Sequence, residues 1–517
     1  DLSVSGGSKN LSYYFSAGYL DEKGVLNYGT DTFQRLNTIG KINLSLTDWW
    51  DFTFQSRWTQ SNRKRPSMTR EGDYSFLFRQ VSRQYPFTSM YDGFGNYFIE
   101  SHIPEIETGL DTIDRSIFDN NFSTELRPLK GWKINADFAY SFRSNLNSSV
   151  NPLIMIYNTS NTAYPQGASV PSSISRTYTN DSYWSLNLYS SYEFRINNDH
   201  NFNLMGGVQY EKGKINQMSG SKTDMISAEV PSFQTSTGTS LLSEYLAHNA
   251  TEGLFGRLSY NYKERYLLES NARYDGSYVF RQGKRWGFFP SISAGWNVHN
   301  EPFWNIPETS ISTLKFRASW GQLGNQNISP YSDLELVPIN TGKLNWIFKY
   351  GDIRPVGYTQ APGIVNRNLT WETATTQNVG VDISFLKNRL QTNIDLYQRV
   401  TTNMVGPSQA RPGVLGASVP RDNNSTLRTR GFDFNLTWRD MLNNGLSYFV
   451  GLNLSDNKSV IMDYYNPTGT LSTWSEGREL GEIWGYTVYD LYRTQQQVDD
   501  HLATTDLSFL GRNWRPG

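Results

Sequence analysis

Apolar and polar residues alternate along most of this chain, and in three of the alternating stretches the charged residues fall on only one of the two faces. In the run WKINADFAYSFR, which begins at Trp132, every second residue is apolar and the charges lie between them. Successive side chains of a β-strand point to opposite sides, so such a run is a strand with one apolar and one polar face. The three stretches are 132–143, 378–397 and 432–439, and the charges on their polar face include Arg143 and six that we predict to face the lumen: Lys133, Asp137, Asp382, Asp395, Asp433 and Arg439.

A membrane explains why the charges keep to one face. A Lys or Arg side chain that faces lipid at mid-bilayer costs about 2–4 kcal/mol, so a strand in contact with lipid must exclude it. The predicted strands run to about 9–13 residues, which matches a tilted crossing of the bilayer. Aromatic residues make up 15% of the chain, and many crowd the predicted strand ends, as expected for a girdle at the lipid interface. Those at strand ends include Tyr13, Tyr14, Trp49, Trp50, Trp184, Trp286, Trp296 and Trp438.

The connections between strands alternate between short and long. We count about 17 candidate strands, with short joins such as 386–389 and long ones such as 59–118 and 322–374. Antiparallel neighbours put alternate joins at the same end, so the long loops share one end of the sheet. The sequence therefore predicts an all-β transmembrane antiparallel β-barrel with long extracellular loops and short periplasmic turns.

A soluble β-sandwich also alternates, but it does not explain the strand count, the one-sided loops or the aromatic ends. Bacterial single-chain barrels have an even number of strands, so about 17 predicts that residues 1–517 form a partial barrel. A ring this wide encloses a channel or a plugged bore. No stretch reads as a compact plug. Either the protein is a passive porin, or a plug precedes residue 1 and the last barrel strands follow residue 517.

The composition offers little for catalysis or for metal binding. The chain has no cysteine, and its 47 basic and 48 acidic residues nearly balance, which gives no argument for nucleic acid as a partner. The five histidines are scattered singly, without metal-ligand spacing. Asp422-Asn423-Asn424 and Asn198-Asp199 carry oxygen ligands suited to Ca²⁺, but turn formation explains them better. The sequence predicts no enzyme, no metal site and no cofactor.

Two predicted loops are rich in aromatic residues. Residues 74–98 combine them with Asp, Asn and Gly, and residues 346–350 read WIFKY. Aromatic faces give contact area on sugar C–H surfaces, while amides and carboxylates fix hydroxyl groups. The alternative is that the rings pack loop on loop or meet a lid protein. The candidate ligand-binding residues are Tyr91, Asp92, Asn96, Tyr97, Trp346 and Tyr350.

Several long segments resemble the SusC/RagA-type TonB-dependent outer-membrane transporters of the Bacteroidetes. They include DLSVSGGSKNLSYYFSAGYLDEKGVL from residue 1, GLFGRLSYNYKERYLLESNARYDGS from 253, RWGFFPSISAGWNV from 285 and LKFRASWGQLGNQNISPY from 314. LTWETATTQNVGVDISFLKNRLQTNIDLY from 369, VLGASVPRDNNSTLRTRGFDFNLTWRD from 414 and Glu482-Ile483-Trp484-Gly485-Tyr486 continue the match. The resemblance follows nearly the whole chain in order.

The resemblance implies a barrel of about 22 strands in the outer membrane of a Gram-negative cell, with an N-terminal plug that is absent here. It implies import of oligosaccharides, or in some members oligopeptides, energised by the TonB–ExbB–ExbD complex. It also implies a SusD-like surface lipoprotein as partner, with two transporter–lipoprotein pairs forming a dimer. The six charges of the polar face would then line the lumen or hold the plug.

Overall fold

Sixteen strands form one antiparallel sheet in the computed structural model of the protein. It describes residues 1–67, 79, 82–107, 109–166, 169–337, 339–349, 352–359, 362–409, 411–488, 490–506, 511 and 514–516. In chain order the strands of the main sheet are β1 (Leu2–Ser8), β2 (Leu11–Lys23), β3 (Thr32–Thr47), β4 (Trp50–Arg65), β5 (Leu110–Leu129), β6 (Trp132–Asn151), β9 (Ser173–Ile196), β10 (His200–Thr223), β11 (Ser240–Tyr262), β12 (Tyr266–Ser277), β13 (Trp286–Asn297), β14 (Ile311–Asn325), β17 (Glu372–Phe385), β18 (Leu390–Val405), β19 (Asn423–Met441) and β20 (Ser447–Tyr464).

The remaining elements lie in the connections. Two hairpins, β7 (Met155–Tyr157) with β8 (Ala163–Pro165) and β15 (Ile339–Lys349) with β16 (Asp352–Thr359), stand apart from the main sheet. The elements bounded within the described residues also include the α-helices α1 (Ile103–Glu107) and α2 (Gln495–Thr504) and the 3₁₀ turns Val298–Asn300 and Gly413–Leu415. None of the helices in the described ranges has the length and apolar character needed to cross a membrane.

Every strand of the main sheet pairs with its neighbour in the sheet, so the apolar faces predicted from the sequence join into one surface. Between β17 and β18, for example, Val379 lies opposite Leu396, and Val381 lies opposite Ile394. Ile394 lies in turn opposite Phe434 of β19. Large apolar side chains on this face stay exposed, with Leu396 at 55%, as expected of a surface that lipid covers.

Two rows of aromatic side chains border the apolar surface. Near the short turns, Phe194 stacks on Phe202 with ring centroids 5.0 Å apart, and Phe202 lies 4.8 Å from Tyr260. The second row, towards the long loops, contains Trp184 and Tyr210, whose rings lie 5.2 Å apart. The two rows are what the girdles of a membrane barrel require.

The predicted strand length of about 9–13 residues is wrong for much of the sheet. Strands β9 and β10 each have 24 residues and β11 has 23, so they continue well past a bilayer crossing. Trp184 therefore lies inside β9 and not at its end, because the strand goes on beyond the girdle. The continuation has polar residues on both faces. Alternation alone therefore does not show where the membrane crossing ends.

The predicted alternation holds for most connections, but residues 298–310 between β13 and β14, at the short-turn end, are longer than the connections 24–31 and 278–285 at the loop end. Short turns join β1 to β2, β3 to β4, β5 to β6, β9 to β10, β11 to β12 and β17 to β18. Asn197 and Asn198 have φ angles of 51° and 57°, and Leu386, Lys387 and Asn388 lie between 54° and 64°. Asparagine tolerates this left-handed backbone well, and its use at tight turns follows from that.

A small core holds the long loops together above the sheet. Phe280 and Trp371, both nearly fully buried, lie with ring centroids 5.1 Å apart. The indole Nε1 of Trp371 donates to the carbonyl of Arg285 at 2.8 Å, and buried Glu372 accepts from the backbone N–H of Val405 at 2.8 Å. These contacts tie the connection after β12 to the start of β17 and the end of β18.

Candidate functional site

Polar side chains cover the inner face of the sheet, opposite the apolar surface, and form cross-strand ion pairs. Arg317 of β14 is the centre of one: its Nε lies 3.0 Å from the Asp382 carboxylate on β17, and its Nη2 lies 2.7 Å from Asp395 on β18. Gly380 lies between them, and a Cβ at this position would meet Asp395 at 2.6 Å and Arg317 at 2.9 Å. Because Gly380 has no side chain, there is room for the Arg317 guanidinium to reach across β17 to β18.

The carboxylates of this group outnumber its cation. Asp433 lies directly opposite Asp395 in the β18–β19 register. The side chain of Asp395 is 14% exposed, and its Oδ1 is buried without a hydrogen bond within the described residues. A buried carboxylate oxygen without a hydrogen bond is costly, which sets Asp395 apart from the paired oxygens of this group.

Lys133, near the short-turn end of β6, lies 3.4 Å from the Glu125 carboxylate of β5. Asp137 lies opposite Asn187 of β9, with no ion pair among the residues that the structure describes. Arg439, near the end of β19, donates its backbone N–H to the carbonyl of Arg389 at 2.8 Å. The six predicted lumen charges thus share the inner face but do not form one cluster, and their contact with a plug stays a prediction.

Four of the six candidate ligand-binding residues come together in one tight turn of the loop between β4 and β5. The carboxylate of Asp92 accepts the backbone N–H groups of Phe94 at 2.8 Å and Asn96 at 2.9 Å. Tyr91 and Tyr97 pair across the turn, and their rings stack with centroids 5.6 Å apart. Burial would raise the pKa of Asp92, but hydrogen bonds from Asn96 outweigh it and hold the pKa below its usual value.

The same turn rests on the next long loop. Tyr157 of β7 donates its backbone N–H to the carbonyl of Tyr97 at 2.8 Å, and the amide of Asn96 donates to Asn161 at 3.1 Å. Most polar groups of Asp92 and Asn96 are thus hydrogen-bonded within the turn itself. The free surface nearby is apolar, with Phe94 71% and Phe87 85% exposed.

The other two candidates lie elsewhere. Trp346 belongs to β15, where it pairs with Arg354 of β16, and Tyr350 lies outside the described residues. The β15–β16 hairpin is inserted between β14 and β17, whereas the Asp92 turn joins β4 and β5. In the order of the sheet seven strands, β6 and β9 to β14, lie between β5 and β17. The structure does not bring Trp346 and the turn together.

Reasoning from the sequence missed Arg317 and the loop core around Trp371. A hint of Arg317 was available, because Arg317 follows the same alternation on the polar face of β14 as the predicted charges do on theirs. The candidate calcium ligands Asp422 and Asn423 instead tie loops together: Asp422 accepts from Asn366 at 2.7 Å, and Asn423 donates to the carbonyl of Thr370 at 3.0 Å. Within the described residues no three His, Asp or Glu side chains gather in a metal-binding group.

Comparison with known proteins gives this architecture a family. Residues 57–513 match the TonB dependent receptor-like, beta-barrel family. The chain belongs to this family. The TonB-dependent receptor P3 of Formosa agariphila is 25% identical over 95% of the chain, and the TonB-dependent receptor SusC of Bacteroides thetaiotaomicron is 25% identical over 99%.

The solved structure of the RagAB peptide transporter shares the fold, with a TM-score of 0.73 over 90% of this chain and 50% of that one, at 20% identity. These relatives confirm the predicted SusC/RagA-type barrel and its place in the outer membrane. The relatives are receptors and transporters, as the sequence predicts, and not enzymes. The chain spans about half the length of the curated relatives it matches, 50% of P3 and 52% of SusC.

Proposed function

We propose that the intact protein imports oligosaccharides across the outer membrane, together with a SusD-like surface lipoprotein and with energy supplied through TonB. The observation that carries the proposal is the two-faced wall: an apolar outer surface for lipid and an inner face of ion pairs, amides and hydroxyls. Such an inner face suits a wet lumen through which a hydroxyl-rich solute passes. The names of the relatives, TonB-dependent receptors, support the energy source.

A complete ring is the second part of the proposal. Within the described residues β1 pairs on one side only, and β20 pairs with β19 on one side while its other side bonds to residues 477–480 only near its loop end. Lipid offers no partner to an open strand edge, and each unpaired backbone group there costs several kcal/mol. We infer that further strands of the intact protein close the barrel, and that a plug domain fills it.

The plug gives the inner charges a role. The carboxylate of Asp433, which lies opposite Asp395, would accept N–H groups of a plug that enters the lumen. Asp137, on a distant part of the same inner face, would do the same. Each contact would pair a carboxylate that has no ion pair among the described residues, and so would stabilise the filled barrel.

The exposed rings of the loop between β4 and β5 would bind the substrate or the lipoprotein. Phe94 projects from the Asp92 turn, and the stacked pair Tyr85 and Phe87, 5.4 Å apart, lies beside it in the chain. Flat, exposed rings suit the C–H faces of sugars. They also suit apolar peptide side chains. The RagAB structure, named a peptide transporter, therefore keeps oligopeptide import as the second candidate.

Uptake in whole cells tests the proposal. A deletion strain that carries the full-length gene should accumulate one labelled oligosaccharide, and lose this uptake when TonB is removed. Phe94→Ala should reduce it, whereas Phe303→Ala, an equally exposed phenylalanine (63%) on a connection at the short-turn end, should not. Uptake of peptides alone selects the second candidate, and uptake that survives loss of TonB indicates a passive porin.

A further inference from the structure

Two lysines on the outward face of β10 stand at the upper border of the lipid-facing surface. Lys212 and Lys214 continue the outward row of Val208 and Tyr210 by two and four positions beyond the Trp184–Tyr210 girdle. The register places Lys212 opposite Trp184 on β9, so this row has not switched faces. Both lysines are exposed.

Their height follows from the strand geometry. Lys212 lies ten positions along β10 from Phe202, a member of the girdle near the short turns. At about 3.3 Å per residue and a tilt of about 40°, the rise is roughly 25 Å, which is the height of the apolar band of such a barrel. Lys212 therefore reaches the headgroup layer on the side of the long loops, and Lys214 lies just above it.

Several cations of the inner face have a protein partner, whereas these two lysines have none among the described residues. Arg317, Lys133 and Arg143 each form ion pairs, but no ion pair or hydrogen bond joins the Lys212 or Lys214 ammonium to another described residue. Alternate residues of a strand point the same way, so both ammonium groups extend from the same face and can reach one anion. Two unpaired like charges at this depth favour an anion that bridges them.

The surroundings complete an amphipathic site. Below the lysines lie the rings of Trp184 and Tyr210, a surface for acyl chains. Beside them, Ser182 of β9 lies opposite Lys214. The nearest outward carboxylate by register, Glu252 of β11, lies opposite Tyr210 and forms no ion pair with either lysine.

We propose that Lys212 and Lys214 bind the phosphate of a phosphorylated glycolipid in the outer leaflet of the outer membrane. The phosphate oxygens accept from both ammonium groups, and the acyl chains lie against the girdle below. The lysines thereby fix the depth of the long β9–β10–β11 extension and gather glycolipid at one side of the barrel. This role is independent of the imported substrate.

The test uses the full-length protein in nanodiscs that contain lipid A, with lipid retained per barrel measured by native mass spectrometry. Each lysine near an anionic surface contributes about a fivefold change in affinity, so Lys212→Gln with Lys214→Gln should weaken lipid A retention about thirtyfold. Lys9→Gln with Lys387→Gln removes the same charge from exposed turns at the opposite end and should leave retention unchanged. Glu252→Gln should increase it.

Lipid A stripped of its phosphates should bind the native protein as weakly as intact lipid A binds the double lysine variant. Free inorganic phosphate should not compete, because it lacks the acyl chains. Equal retention by the two double variants, or undiminished binding of the phosphate-free lipid, would overturn the proposal. Unchanged heat-modifiability on gels shows that each variant is folded, and Lys214→Ala offers a milder second variant if the double one is not.

Discussion

An arginine scan of two neighbouring residues in β9 tests which face of the sheet meets lipid. Leu188 lies four positions from Trp184 in one girdle and four from Tyr192 near the other, so it marks the middle of the apolar band. It is 42% exposed and lies opposite Ala136 and Val208. Asn187, one position away, points to the inner face and lies opposite Asp137.

The expected costs differ widely for the same new side chain. Leu188→Arg places a cation at the bilayer midplane and should lower the free energy of unfolding by about 2–4 kcal/mol. Asn187→Arg should cost nothing or stabilise slightly, because Asp137 has no ion pair among the described residues and would gain one. Ile196→Arg, at the end of β9 near the interface, should cost about 0–1 kcal/mol.

The full-length protein folded into phospholipid vesicles, unfolded with guanidinium and followed by tryptophan fluorescence, gives the three values. The difference between Leu188→Arg and Asn187→Arg corresponds to roughly 30–1000-fold in the folding equilibrium constant. Equal costs at the two neighbours, or a larger cost at Asn187, would refute the assignment of faces. A cost at Ile196 as large as at Leu188 would instead refute the assignment of depth.

Three further outcomes are expected. Gly431→Leu should destabilise the folded protein by about 1–3 kcal/mol in the same titration, because a Cβ there meets the Tyr397 hydroxyl at 2.5 Å. Arg317→Gln should cost about 1–2 kcal/mol, since it leaves the Asp395 carboxylate without its cation, and Arg317→Lys should recover only part of this loss. The lowered pKa of Asp92 means that its stabilisation of the turn is complete above the usual carboxyl pKa of about 4 and is lost as the pH falls through the lowered value. Limited proteolysis of this loop should therefore quicken as the pH falls below the usual carboxyl pKa in the native protein, but show no matching pH step in Asp92→Asn.

The period-2 pattern sufficed to predict the sheet, because lipid on one side and water on the other act on every second residue. The sequence alone shows that Val379 and Asp382 point to opposite faces of β17. The ends of the strands could not be predicted in this way. Beyond Lys214 the β9–β11 extension meets water on both sides, so its residues no longer indicate which face they point to.

The candidate site was predicted less well than the sheet, for a different reason. Loops carry no period, so only local turn chemistry is readable: Asp92 and Asn96 are spaced to close a turn and hold its backbone, and their contact with a ligand stays a prediction. Trp346 was grouped with them on composition, although the strand order separates the two loops. Contacts such as Trp371 with Phe280 depend on which loops become neighbours, which is known only once the strands are paired.

Both faces of the sheet act together to fix its register. Sliding β17 by one residue would carry Asp382 from Arg317 to the lipid side and bring Val381 inward, so the ion pair and the apolar contact fail in the same step. The bond from Arg317 to Asp395 extends this control across β17 to β18. A slip of two residues would leave every side chain on its correct face. Only the ion pairs and the fit of a ring against a glycine, as with Tyr397 against Gly431, oppose such a slip. The inner polar network is therefore needed for the register of the strands as well as for the chemistry of the lumen.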